Sequence, residues 1–147
     1  MRLLLLSLAA LIGLSSPALA TGGFACTIDD DNLRFTAEAG FSYSPGSGLM
    51  NFRGTLQLAE ALAPKGLESR DLTPADLPHD WLHDGELRLM IHVETAGDLP
   101  FGSVDLVVMT KVGEDETTYD GDYTLSVYTA EQGEKTERTG RVSCSLG

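Results

Sequence analysis

Positive charge is scarce in this chain. Ten Lys and Arg residues stand against 22 Asp and Glu, for a net charge of −12. A nucleic-acid partner is thereby disfavoured, because phosphate contacts need a basic surface. Cysteine is nearly absent too: the chain has 2, Cys26 and Cys144, with no C-x-x-C spacing that would point to a thiol metal site or a redox centre. Beyond the first twenty residues no apolar run approaches the ~20 residues that a membrane-spanning helix needs, so no membrane anchor is expected. Gly-x-Ser-x-Gly and Gly-rich phosphate loops are both missing, and no pair of carboxylates stands in an apolar setting that would raise a pKa. These absences favour a binding protein over an enzyme; a hydrolase or isomerase would have to use an unfamiliar site.

The first twenty residues read as a cleaved signal peptide. Arg2 supplies a positive start, Leu3 to Leu14 is apolar, and Ala18-Leu19-Ala20 is a small-x-small cleavage site. Loss of Arg2 takes the net charge from −12 to −13. Residues 21–147 then form a single domain with enough length for its own core. Export to the periplasm or the extracellular space lets the cysteines pair. A Cys26–Cys144 disulfide would clamp the two termini of that domain, contributing on the order of 4 kcal/mol in the chain-entropy treatment.

Period-two alternation dominates the remainder. Leu33, Phe35, Ala37, Ala39, Phe41 and Tyr43 share one face of a strand that leads into a turn at Ser44–Gly48. Met50, Phe52, Gly54, Leu56 and Leu58 alternate likewise, as do Leu87, Leu89, Ile91 and Val93. Ser103 to Val112 is apolar on both faces, the pattern of a central strand. Tyr123, Leu125 and Val127 begin a final hairpin whose return strand is polar, and edge-like, until Val142 and Cys144. A faint echo links Phe52-x-Gly54-x-Leu56-x-Leu58 to Tyr119-x-Gly121-x-Tyr123-x-Leu125, as expected where a sheet bends at glycine. The fold expected is all-β: an antiparallel sandwich or barrel of about seven strands. One short helix is expected in the 59–84 connection, capped by Thr73 with Pro74 first and Asp76 in its only turn.

Chemistry-bearing side chains concentrate at His79-Asp80-Trp81-Leu82-His83-Asp84-Gly85-Glu86. On a helix, His79 and His83 would share a face and could meet one zinc or copper ion, with Asp80, Asp84 or Glu86 completing the shell. Asp29-Asp30-Asp31 and Asp120-Gly121-Asp122 carry the oxygen ligands calcium takes, without EF-hand spacing. His92 falls on the polar face of its strand, as a solvated histidine would. The function expected is an exported acidic binding protein that engages a cationic protein or peptide, with Trp81, Asp120 and Asp122 as its surface. The alternative is a periplasmic metal-binding protein built on the His79–Glu86 corner.

Overall fold

The computed structural model describes residues 21–42 and 48–147; the signal-peptide reading, Tyr43 and most of the Ser44–Gly48 turn lie outside them. The strands are β1 (Thr21–Asp29), β2 (Leu33–Ser42), β3 (Met50–Leu58), β4 (Ser69–Leu72), β5 (His79–His83), β6 (Glu86–Glu94), β7 (Gly102–Val112), β8 (Thr118–Thr129) and β9 (Glu134–Leu146). All pair antiparallel in one curled half-barrel sheet of order β4-β3-β2-β1-β9-β8-β7-β6-β5. The alternation explains the layout. Phe35, Leu56, Leu89, Leu106, Leu125 and their strand-mates at every second position point inward and are buried. The intervening residues face solvent. Strands β7 to β9 form the expected meander, and Cys26 of β1 sits directly opposite Cys144 of β9 in a disulfide.

Nine strands form where the period-two pattern predicts about seven, and both additions lie in the 59–84 connection. Each is a short edge strand with one inward apolar residue, Leu72 or Leu82, too little to show a period. Main-chain pairing to β3 and to β6 holds them instead. The two edges of the sheet are thus consecutive in the chain. Residues 73–78 step from one to the other, so the half-barrel is closed by covalent chain where a full barrel would use a ladder. A single 3-10 turn, Pro74–Asp76, makes that step, at the position and of the length its cap signals predict. The buried Asp76 carboxylate accepts from the Thr73 amide and hydroxyl, each at 2.8 Å, and faces Arg70 at 3.7 Å. Leu62, Pro64 and Leu67 of the preceding stretch pack over the core.

Two expectations about side-chain direction are corrected. Met50 is exposed, because β3 carries an extra residue opposite β2: Glu38 pairs with Arg53, Gly40 with Met50, and Asn51 takes a φ of 55° to absorb the difference. Among the described residues no second layer covers the outer apolar face of β7. Val107 is half-buried and Met109 is 53% exposed on the outside of the sheet.

Candidate functional site

Register across β5 to β9 builds the outer face residue by residue. Trp81 lies opposite Arg88, Arg88 opposite Met109, Met109 opposite Asp122, and Asp122 opposite Arg141. This is one continuous row across the sheet. The row on one side carries His83, Glu86, Lys111, Asp120 and Ser143; the row on the other carries His79, Met90, Val107, Thr124 and Thr139. Trp81 is 50% exposed at the edge, its ring in edge contact with His83 at 5.7 Å between centroids. A shallow hollow of about 410 Å³ runs between Arg88, Met109, Asp122 and Arg141.

The cations of this face are already matched. Arg141 pairs with Asp122 at 2.8 Å, Arg88 with Glu86 at 2.5 Å, and Lys111 approaches Glu86 at 3.9 Å. Exposed pairs of this kind add little to stability, but they neutralise the centre and leave the acids around it uncompensated. Asp120 has no ion-pair partner among the described residues. The Val112 amide donates to the Gly85 carbonyl at 2.8 Å, which ties the Asp84-Gly85 turn to the end of β7, where the Glu114-Asp115-Glu116 loop begins. Asp115 is spent on shaping that loop. Hydrogen bonds from the Thr118 hydroxyl and amide, then from the Thr117 amide, pull its carboxyl down to about 2.

Of the sequence-predicted surface residues, Trp81 and Asp122 fall in one row of the outer face, three strands apart, and Asp120 falls in the next row. The His79–Glu86 corner does not assemble as a helix would assemble it. It is a strand and a hairpin turn, with Asp84 and Gly85 at φ 52° and 70°. On a strand, residues four apart are ~13 Å apart, beyond the reach of one ion. Asp80 points to the other face, where it accepts from the Leu49 amide at 3.3 Å, while His83 contacts Asp84 at 3.3 Å and Glu86 holds Arg88. Among the described residues no three His, Cys, Asp or Glu side chains are grouped for a metal. The signal that could have found this hairpin is Asp84-Gly85 itself, the pair favoured where both turn residues need positive φ.

The Asp29–Asp31 turn is likewise internally engaged. Asp29 pairs with Arg34 at 3.0 Å, and Asp30 accepts from the amides of Asn32 and Leu33. Its other oxygen accepts from the Tyr123 hydroxyl at 2.5 Å, and that hydroxyl accepts from Asn32 at 2.9 Å. Burial, aided by the Asp30 carboxylate, pushes Tyr123 up to about 12. Burial also works to raise Asp30, but the hydrogen bonds from Tyr123, Asn32 and Leu33 together outweigh it and hold the carboxyl below its ordinary value.

His92 is not merely solvated. Its Nδ1 meets Asp105 at 2.7 Å and its Nε2 meets Glu94 at 3.1 Å, so neither nitrogen is free to act as a base. The Asp105 hydrogen bond, against some desolvation, raises its pKa. A raised folded-state pKa means the imidazolium stabilises the fold fully below the unfolded value near 6.5, and this contribution is lost as pH rises through the folded-state value. His92→Gln should accordingly lower the melting temperature more at about pH 5.5 than at about pH 8.5. Equal losses at both pH values would show that the imidazolium is not what the two carboxylates hold.

A second hollow of about 500 Å³ lies outside β1 to β3, lined by Gly23, Ala25, Gly40 and the Glu38–Arg53 pair. Its small side chains offer few groups to hold a ligand, whereas the β5–β9 face combines exposed apolar anchors with charge. No protein-family model, curated protein or solved structure matches this chain.

Proposed function

We propose that this is an exported binding protein that takes a cationic protein or peptide on the outer face of β5 to β9, with Trp81 as its anchor. The observation that carries this is Trp81 itself: the only Trp in the chain stands half exposed, in one row with exposed Met109. Aromatic residues of this kind supply much of the energy of protein interfaces, since they bury a large area at small entropic cost. Charge gives the partner its sign. With Arg88 and Arg141 already paired, Asp120, Asp84, Glu114 and Glu116 are what a partner would meet around the anchor, and these steer cations. The disulfide is compatible with an oxidising compartment, and the apolar stretch Leu3 to Leu14 supports export to the periplasm or beyond it.

The test is capture of partners from the envelope extract of the source cell by the oxidised domain, at low and then physiological salt. A basic protein retained at physiological salt is expected. Trp81→Ala should weaken its binding about 30-fold with the melting temperature unchanged, and Asp120→Asn should weaken it less, in a salt-dependent way. Retention at low salt alone would be charge attraction without a site. Undiminished binding by Trp81→Ala would move the site off this face.

A further inference from the structure

Strand β9 is paired on both sides over only part of its length. β8 follows it from Glu134 to Ser145, but β1 meets it only from Ser143 to Leu146. Beyond Thr27, β1 bends away into the turn whose Asp30 bonds Tyr123. Gly140 makes room for that bend: a Cβ there would lie 2.5 Å from the Tyr123 ring and 2.6 Å from the Asp30 carboxylate. The stretch from Glu134 to Thr139 is left as a sheet edge among the described residues.

The direction of its main-chain groups follows from the ladder. Gly23 and Gly147 exchange two hydrogen bonds of 2.7 and 2.8 Å, so odd-numbered residues of β9 turn their amides and carbonyls toward the β1 side. Past the end of β1 these belong to Lys135, Glu137 and Thr139. Among the described residues the Glu137 carbonyl accepts only from its own neighbour, the Arg138 guanidinium, at 2.8 Å.

We propose that this edge pairs with the same edge of a second copy, antiparallel, with Thr136 on the two-fold axis. The charge order Glu134-Lys135-Thr136-Glu137-Arg138 is self-complementary in that register alone. Thr136 faces its own counterpart, Lys135 faces Glu137 of the second copy, and Glu134 faces Arg138. Lys135 and Glu137, whose main-chain groups point out of this edge, form the hydrogen-bonded pairs, the Arg138 guanidinium leaving the Glu137 carbonyl for Glu134 of the second copy. Moving the axis to Lys135, Glu137 or Arg138 sets like charges directly opposite, which is unfavourable. Moving it to Thr139 drives the second copy into β1, which already pairs with Ser143. In the single chain Lys135 folds back on Glu137 at 2.9 Å, so the same two charges exchange an intrachain partner for one across the axis. Charged edge strands ordinarily repel strand addition; this one repels every strand except one with its own order of charges. A two-fold axis normal to the sheet puts both outer faces on the same side, so the dimer presents two Trp81 surfaces together and binds a repeated or dimeric partner with avidity.

The experiment uses the full chain, expressed with export and purified oxidised. Thr136→Cys should form an intermolecular disulfide spontaneously, because it occupies a directly opposed, non-hydrogen-bonded position like that of Cys26 and Cys144. Thr139→Cys should not. In sedimentation of the chain, Glu137→Lys should weaken the dimer about tenfold or more, and adding Lys135→Glu to it should restore the dimer. The proposal is overturned by a chain that stays monomeric at millimolar concentration, by equal cross-linking at 136 and 139, or by a dimer indifferent to the charge exchange.

Discussion

Gly121→Ala is expected to cost about 3 kcal/mol or more of folding stability, enough to unfold a domain of ordinary stability partly or wholly. Gly121 lies opposite Thr110, and a Cβ built on it would stand 2.0 Å from the Met109 carbonyl oxygen and 2.7 Å from the Thr110 Cα. Those atoms are backbone of a strand paired on both sides, so the clash cannot be relieved by turning a side chain. Relief requires β7 and β8 to separate, at the centre of the candidate face and between Asp120 and Asp122. Gly54→Ala should behave alike, with its Cβ 2.1 Å from the Thr36 carbonyl oxygen. Gly133→Ala is the control. It too changes a glycine, at φ 66° in the last hairpin loop, but nothing lies within 4 Å of the added methyl. It should cost only about 1 kcal/mol for the left-handed backbone. Urea titration of the three variants separates close approach from backbone freedom. Equal losses at 121 and 133 would mean that β7 and β8 do not approach as closely as described.

That pair of glycines shows how much of the fold was legible. The weak repeat of Gly54 and Gly121 within alternating apolar residues has a physical cause: each marks a place where the neighbouring strand crosses too closely for a side chain. The inward rows of β2, β6 and β8 were legible for the same kind of reason, since burying one face imposes a period that composition cannot hide. Strands β4 and β5 were not. Their order comes from main-chain bonds to β3 and β6, which leave no trace in side-chain hydropathy; between them only the short helix that opens at Pro74 could be read. The corner around Trp81 was legible in content and wrong in shape. Helical spacing made His79 and His83 neighbours, whereas the strand separates them and instead aligns Trp81 with Arg88, Met109, Asp122 and Arg141, residues distant in sequence that only the register of the strands can place in one row.

Cys26→Ala with Cys144→Ala should lower stability by about 4 kcal/mol, the chain-entropy value for a loop of 118 residues less what the reduced unfolded chain retains in structure. The location of the bridge makes its effect larger than fraying of two termini. Within the sheet, β1–β9 is the joint between β2 to β4 on one side and β5 to β8 on the other, and its ladder runs only from Phe24 to Thr27. Every other neighbouring pair of long strands is matched over a longer stretch, as β7 is with β8 from Gly102 to Val112. The disulfide lies inside that short joint, fully buried, opposite the seam that residues 73–78 close. Removing it leaves the two halves joined by the short ladder, residues 73–78 and the shared interior. Amide exchange in the double variant should therefore rise first in β1 and in β9 from Val142 to Leu146, while the β6–β7–β8 meander keeps its protection. In the native chain both sulfurs are buried, so reductant should act at a rate set by opening of this joint. A urea midpoint that reduction leaves unmoved would mean that the bridge is no clamp and that the interior alone holds the halves.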